Sequence, residues 1–219
     1  MQTWVGSNIN LDNLIDDEVE GKLALAVESI MQSQIIGTWT AIETLMGDLW
    51  VKTLNLKPEL GIRAMGAEIS PDDTDHVKDQ KEKIRREYPI PSWMARQPGF
   101  DLDKSMGTLL RDKWKFSKRN EAEEAYLKAF GRTERESLKA ILRSDDIQWI
   151  AATRNALVHN AGRADAEFVA SVKRHPVLNQ VKEGEEIPLN GELVGSLIGN
   201  ANKRAVELVM FVSKWLEKH

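Results

Sequence analysis

Residues 154–165, RNALVHNAGRAD, bring together three side chains that can take part in chemistry. Arg154 carries a permanent charge on a planar fork that matches the oxygens of a phosphate or carboxylate. His159 can donate and accept protons near neutral pH, and Asn155 can orient a neighbouring group or hold an oxygen atom. The stretch is therefore either the end of a core helix that carries polar residues or a small catalytic device.

The apolar seam expected along a helix at 145–160 includes a charged residue. Four positions recur at the i, i+4, i+7 and i+11 spacing of a buried face: Ile147, Ala151, Arg154 and Val158. Arg154 thus occupies a place where the pattern favours an apolar side chain. Because burying an unpaired guanidinium is costly, Arg154 must meet an acidic partner, an anion or a second subunit.

A second stripe of the same helix carries the histidine. It consists of Gln148, Ala152, Asn155 and His159. Arg154 and His159 lie roughly 140° apart around the helix axis, so they do not converge on one atom unless the arginine reaches round or a second subunit completes the site. Asn160 and Gly162 are expected C-cap residues. His159 then lies in the last turn, where the negative end of the helix dipole favours a protonated imidazole and a role as proton donor.

Glu43 lies inside an apolar run of the first predicted helix, in WTAIETLMGDLW at 39–50. A buried carboxylate needs a cation, and Arg154 is the obvious candidate for that partner. The alternative is that Glu43 is exposed to solvent.

The net charge of −4 argues against a protein that coats nucleic acid indiscriminately, but residues 104–143 carry 11 Lys and Arg against 6 Asp and Glu. Within this basic segment, KWKFSKR at 113–119 interleaves cations with aromatic residues, a pattern that can bind single-stranded RNA by charge and stacking. The candidate substrate-binding residues are Lys113, Lys115, Lys118 and Arg119. The simpler alternative is that Trp114 belongs to the core and the lysines are solvated.

The stretch RNALVHN, followed by Gly162 and Asp165, resembles the Arg-polar-x-x-x-His signature of HEPN domains. WTAIETLMGDLW resembles a helix that many HEPN proteins carry, and the resemblance covers roughly 20–57 and 104–217. It implies an all-α bundle and, for many members, a metal-independent endoribonuclease. Such enzymes work as homodimers whose Arg-His motifs face each other, whereas other members only bind.

The resemblance implies a role for each motif residue. The 2′-hydroxyl of RNA attacks the neighbouring phosphorus, His159 moves a proton, which typically contributes about 10²–10⁴-fold, and Arg154 stabilises the phosphorane. Asn155 assists, and neither a metal ion nor a cofactor is needed. The implied partners are RNA, a second copy and an antitoxin or regulatory protein, because such proteins are often toxins or defence effectors. The alternative is a non-catalytic helical module that binds RNA, a nucleotide or a protein.

Other chemistry finds little support. DDTDHVKD at 72–79 offers carboxylates and His76 as metal ligands, but a proline followed by acids is more simply the start of a helix. The chain has no phosphate-binding glycine loop, dinucleotide fingerprint, zinc-protease motif or serine-hydrolase elbow. It also has no cysteine, which excludes disulfides and thiolate sites.

The elements that must position these residues are helices. We expect one all-α domain over 1–219, built as a HEPN-like bundle of long antiparallel helices, with an inserted polar, proline-containing segment at 58–101 and a small β-hairpin near 177–190. Gly37 is expected to bend or split the first helix. The N-terminus lacks the layout of a signal peptide and no apolar run approaches about 18 residues. We therefore expect a cytoplasmic protein without a membrane partner.

Two apolar seams are predicted at the ends of the chain. The seam of the first helix starts with Leu23, Val27 and Ile30 and continues through Ile35, Trp39 and Ile42. The seam of the last helix comprises Leu193, Leu197, Ala201, Val206, Val209, Val212 and Leu216.

Overall fold

A computed structural model describes residues 11–67, 71–87, 101–102, 104–131 and 133–219, and for 11–18 and 85–87 it describes only the helical backbone. The described residues form nine α-helices and two short 3-10 turns, without a β-strand. The helices are α1 (Leu11–Leu56), α2 (Pro58–Ala64), α3 (Asp75–Glu87), α4 (Met106–Leu110), α5 (Arg119–Phe130), α6 (Arg135–Leu142), α7 (Asp145–His159), α8 (Ala166–Ser171) and α9 (Gly191–Lys218). The 3-10 turns are Arg111–Lys113 and Leu178–Gln180. The predicted all-α fold class is confirmed for this part of the chain.

Three helices form the centre of the bundle, because α1, α7 and α9 each pack against the other two. The smaller helices cover this centre: α4 packs on α1, α5 on α2 and α6, and α8 on α7. The buried face of α9 consists of Leu193, Val194, Leu197, Ala201, Ala205, Leu208, Val212 and Trp215. The predicted seam is wrong at Val206 and Val209, which are exposed. A buried helical face advances by three or four residues, and the step of five from Ala201 to Val206 leaves that face.

Helix α1 is continuous through Gly37 and is neither split nor ended there. Its core contacts begin at Ile35 and Trp39, whose side chains are buried. Residues 19–30 are exposed around the whole helix, including the expected seam residues Leu23 and Val27. The predicted seam therefore holds only for the C-terminal half of α1, since no described helix covers the N-terminal half.

A chain of aromatic rings connects α1 to α9 through α5. Trp50 packs edge-on against Trp114 with ring centroids 5.2 Å apart, and Phe130 packs edge-on against Trp215 at 5.1 Å. Two polar groups in this chain are paired with backbone: Trp50 Nε1 donates to the carbonyl of Ala125 at 3.1 Å, and the Tyr126 hydroxyl donates to that of Met46 at 2.8 Å. Aromatic rings buried with their polar atoms paired stabilise the bundle without leaving a desolvated donor.

The small β-hairpin expected near 177–190 is wrong. This segment forms a 3-10 turn and a tight turn through Gly184, which has a φ of 85°. The turn is tied to the loop after α7, since the N–H of Gly184 donates to the carbonyl of Ala164 at 2.8 Å. Val181 and Ile187 are buried in the core cluster, and the segment pairs with residues 162–164 through an isolated antiparallel bridge between Arg163 and Glu186 and not with itself as a hairpin.

The segment at 58–101, expected as an insertion, divides into two described parts. Leu60 and Ala64 of α2 are buried in the main core, so the start of the segment belongs to the bundle. Helix α3 contributes no described residue to that core. Residues 88–100 lie outside the described part of the chain. Among the described helices, none is long and apolar enough to cross a membrane.

Gly107 marks the closest approach of α4 to α1, and it provides a test of this packing. A Cβ atom at Gly107 would lie 2.1 Å from the carbonyl oxygen of Val51, which is backbone and cannot rotate away. We expect Gly107→Ala to lower the free energy of unfolding by about 3 kcal/mol through overpacking. The matched control is Gly195→Ala on α9, where a Cβ meets nothing within 4 Å, and which should raise stability by about 0.5–1 kcal/mol. Urea unfolding of both variants checks the expectation, and equal stabilities would contradict it.

His175 makes folding stability depend on pH. Its Nδ1 accepts the N–H groups of Val177 at 3.1 Å and Leu178 at 3.0 Å, and its ring packs against Trp149. Burial lowers the pKa of His175. Its contribution to stability is therefore present above the unfolded pKa of about 6.5 and is lost as the pH falls below it, because the unfolded chain binds the proton more readily.

The test compares wild type with His175→Asn, which keeps an acceptor oxygen near the position of Nδ1 but does not titrate. Between pH 7.5 and 5.5 the free energy of unfolding of wild type should fall more steeply than that of the variant. Parallel curves would show that the His175 imidazole does not resist protonation in the folded protein.

Candidate functional site

The N-terminal end of α7, the helix that carries Arg154, Asn155 and His159, is fixed by a cap and two ion pairs. The Ser144 hydroxyl caps the helix by accepting the N–H of Ile147 at 3.4 Å. Asp146 forms an ion pair with Arg204 of α9, with 2.7 Å between Oδ2 and Nε. Asp145 forms an ion pair with Arg174 from the loop after α8. Carboxylates at a helix N-terminus also meet the positive end of its dipole. The position of α7 is thus set from two neighbouring elements.

The buried face of α7 is rotated from the predicted seam. The buried residues are Ile147, Ile150, Thr153, Ala156 and Leu157. Val158, predicted as part of the seam, is 44% exposed, and Arg154 is half-buried at the edge of the face. The prediction failed because Thr153 occupies a core position, where its hydroxyl donates to the carbonyl of Trp149 at 2.9 Å and needs no external partner.

The C-terminal end of α7 follows His159 immediately, as the sequence indicated. Asn160 is the C-cap, and Ala161 and Gly162 have positive φ angles of 50° and 78°. The left-handed conformation costs a non-glycine residue about 1–2 kcal/mol, so Ala161 is held there by its surroundings. Asp165 helps to fix the loop that contains Ala161. One of its carboxylate oxygens accepts a hydrogen bond from the Asn160 side-chain amide at 2.6 Å, and the other caps α8 by accepting the N–H of Phe168 at 2.7 Å.

Arg154 has one hydrogen-bond partner among the described residues. Its Nη1 donates to the side-chain oxygen of Asn155 at 3.2 Å. Its Nε is buried without a partner among the described residues, as is Trp149 Nε1 on the same helix. A buried donor without an acceptor costs about 1–3 kcal/mol, which an incoming anion or a second chain could relieve.

The ion pair expected between Arg154 and Glu43 does not form. Glu43 is half-buried on α1 and makes no ion pair with any described residue. The alternative of a carboxylate in contact with solvent is therefore closer to the structure. Because the Asn155 side-chain oxygen accepts the hydrogen bond of Arg154 Nη1, Asn155 orients the guanidinium of Arg154 and not the imidazole of His159.

His159 is exposed and forms no hydrogen bond with a described residue. It forms no hydrogen bond with Arg154, in agreement with their separation around the helix. Its imidazole is therefore accessible to a ligand. Within one chain the two motif residues do not converge on one atom.

A cavity of about 560 Å³ lies beside the motif. It brings together the N-terminus of α5, the Gln148 stripe of α7 and helix α8. Of the sequence-predicted residues, three line it: Lys118, Arg119 and Asn155. His159, which belongs to the same stripe of α7, does not line the cavity, and neither does Arg154. The structure therefore joins part of the basic segment to part of the motif.

Lys113 and Lys115, the other two candidate substrate-binding residues, do not line this cavity. The ammonium of Lys113 lies 5.1 Å from the Trp114 ring centroid, and burial, followed by the charge of Lys128, lowers the Lys113 pKa. Trp114 and Phe116 are 5% and 2% exposed, so neither ring is free to stack on a base. The simpler alternative, with Trp114 in the core and the lysines exposed, is confirmed, and Phe116 is buried as well.

The acidic stretch at 72–79 behaves as the start of a helix. Asp75 begins α3, and Asp73 is paired with Lys81 at 2.7 Å. Among the described residues, no group of three or more His, Asp or Glu side chains could hold a metal ion.

Two residues that had no predicted structural role, Asp165 and Gln148, organise the site. Asp165, part of the HEPN-like stretch, is the N-cap of α8, a position that favours Asp. Gln148, on the same stripe as Asn155, donates through its side-chain amide to the carbonyl of Ser171 at 3.2 Å and holds α8 against α7. No sequence signal indicates that second contact, because it depends on how the two helices pack.

Asp165 offers a test of how the end of α7 is held. Asp165→Ala removes the cap of α8 and the acceptor of the Asn160 amide, so we expect the free energy of unfolding to fall by about 1 kcal/mol. Asp165→Asn keeps a capping oxygen and should lose less than half as much, since Asn and Asp cap helices about equally well. Thermal and urea unfolding of the two variants check this. Two variants as stable as wild type would show that the contact does not hold the loop.

Comparison of the sequence with protein-family models gave no match, and neither did comparison with curated proteins or with solved structures. The HEPN assignment therefore stays a prediction based on the motif residues. What the site does must be argued from its geometry.

Proposed function

We propose that this protein is an endoribonuclease of the HEPN type that works without a metal ion. One observation carries the proposal: Arg154, oriented by Asn155 and with an unpartnered buried donor, shares a helix end with an exposed histidine beside a cavity that Lys118 and Arg119 line. Glu121, Asp165 and Glu167 line the same cavity. Lys118 pairs with Glu121 at 3.2 Å, so Arg119 is the cation of this lining without an ion pair to a described residue. An oriented cation, an accessible proton donor and Arg119 at a concave surface suit a phosphodiester.

The reaction follows from the chemistry of RNA. The 2′-hydroxyl attacks the adjacent phosphorus, the bond from phosphorus to the 5′-oxygen breaks, and the products end in a 2′,3′-cyclic phosphate and a 5′-hydroxyl. His159, at the end of α7, gives a proton to the departing 5′-oxygen. Arg154 stabilises the charge on the equatorial oxygens of the phosphorane. Asn155 keeps the guanidinium in place.

A homodimer completes this site. Arg154 and His159 of one chain point to different sides of α7, so the arginine of one copy and the histidine of the other are better placed to meet at one phosphate. Val158 lies between them and is 44% exposed, which favours contact with another protein surface. With one histidine at each phosphate acting as the proton donor, a water molecule accepts the proton of the 2′-hydroxyl.

The wider role proposed for the protein is that of a toxin or defence effector in the cytoplasm, with RNA as substrate and an antitoxin or regulatory protein as partner. This role rests on the resemblance of the RNALVHN motif. Glu43 and Asn160 are proposed as supporting residues. Asn160 supports the histidine by ending α7 directly after it.

The test is cleavage of total RNA and tRNA by the purified protein in EDTA. We expect wild type to produce fragments with 2′,3′-cyclic phosphate ends and His159→Ala to lower the rate by at least about 10²-fold. Because His159 is exposed, the thermal midpoint should not change. His76→Ala removes another exposed histidine, on α3, and should cleave as wild type does.

The alternative, a non-catalytic helical module, makes the opposite forecast. Intact RNA with wild type and both variants, each folded and dimeric, would reject the nuclease. Cleavage that persists in His159→Ala would reject the assigned proton donor.

A further inference from the structure

A second cavity, of about 730 Å³, adjoins the one beside the motif. The two cavities share the lining residues Arg119, Asn120 and Gln148, so they adjoin between α5 and α7, and the two together are called the groove below. The charged residues that line the second cavity are Arg119, Glu123, Glu124, Lys128, Arg135, Arg143 and Arg174. Five cations thus face two carboxylates in the second cavity, whereas the first is lined by Lys118 and Arg119 against Glu121, Asp165 and Glu167. The positive surplus therefore lies in the second cavity.

The pairs within this cavity leave a surplus of positive charge. Glu123 is buried and receives Arg143 Nε at 2.6 Å, while Lys128 pairs with Glu124 at 2.6 Å. Arg174 pairs with Asp145, outside the lining. The other two cations, Arg119 and Arg135, form no ion pair with any described residue. A cluster of arginines in a concave surface attracts phosphates strongly, because the low-dielectric walls concentrate the field.

The groove leads away from the candidate cleavage site along α7. Gln148, at the junction of the two cavities, lies eleven residues before His159, which corresponds to about 16 Å along the helix axis. A strand whose scissile phosphate lies at His159 therefore has further phosphates within reach of the second cavity. The distance of about 16 Å from His159 to Gln148, with the second cavity beyond it, fits a nucleic-acid chain better than a single nucleotide.

The shape of the groove selects the kind of nucleic acid. Cavities of this size hold one or a few nucleotides, whereas a duplex presents a rigid cylinder that cannot enter them. In both linings the only aromatic residue is Phe168, which is buried, so bases find no free ring on which to stack. Recognition here is of the phosphate chain and not of the base sequence.

We propose that this groove, and Arg119 and Arg135 above all, binds a single-stranded RNA segment that flanks the cleaved phosphate, independently of its sequence. The proposal rests on the ribonuclease function proposed above. The substrate class is single-stranded RNA, and the binding surface extends from Asn155 of the motif to Arg135.

The experiment measures binding of a labelled single-stranded oligoribonucleotide to His159→Ala protein, which leaves the RNA intact, at several salt concentrations. The test variant adds Arg119→Gln and Arg135→Gln. The matched control instead adds Lys203→Gln and Lys214→Gln, which remove the same charge from exposed positions of α9 outside both cavities. None of these four residues forms an ion pair with a described residue, so no carboxylate loses its partner.

We expect the groove variant to bind at least about tenfold more weakly than the control, for oligonucleotides of any sequence. The slope of log K against log salt should become shallower by about 1.4, at about 0.7 per phosphate contact on a single strand. A duplex of the same length should bind more weakly than the single strand. Equal binding by groove and control variants would overturn the proposal, and so would equal binding of duplex and single strand.

Failure of the groove and failure of the nuclease give different results. If wild type cleaves RNA but the groove variant binds like the control, the nuclease stands and the groove is rejected. If wild type does not cleave but the groove variant loses affinity, the surface binds RNA and the catalytic assignment is rejected.

Discussion

The packing of α7 between α1 and α9 is the constraint on which the rest of the site depends. Ile150, Thr153 and Leu157 are buried in the bundle, which forces the opposite stripe to face the groove. The ion pairs at the first turn and the Asn160–Asp165 contact at the last then fix where the helix starts and ends. A residue at the end of a helix held in this way keeps a defined position even when its own side chain is exposed.

Two features at the end of α7 are energetically unfavourable. Arg154 keeps a buried donor without an acceptor, and Ala161 adopts a left-handed conformation directly after the C-cap. Both features cost stability, of the order of 1–3 kcal/mol for the donor and about 1–2 kcal/mol for the backbone. Unrelieved costs of this kind are more common at functional sites than elsewhere, which supports a ligand-binding or catalytic role for the end of α7.

Folding brings basic residues that are distant in sequence together on one surface. The protein is acidic overall, but the basic segment folds so that part of it lies on the groove while Trp114 and Phe116 hold it to the core. Arginines remote in sequence, such as Arg143 and Arg174, join Arg119 in the same cavity. An acidic protein can therefore present a local cationic surface to a polyanion, because the excess negative charge lies elsewhere.

The sequence by itself determined the all-α class, the helix end at His159 and the neighbouring stripe that contains Gln148 and Asn155, since these follow from local periodicity and capping. It could not determine which face of α7 is buried, because Arg154 and Thr153 both compete for the core and only the neighbouring helices decide between them. For the same reason the pairing of Arg154 with Glu43, the apolar seam at Leu23 and the hairpin near 177–190 were predicted wrongly. Contacts between segments far apart in sequence, including the groove that unites Arg119, Arg135 and Gln148, arise from tertiary packing and leave no periodic signal.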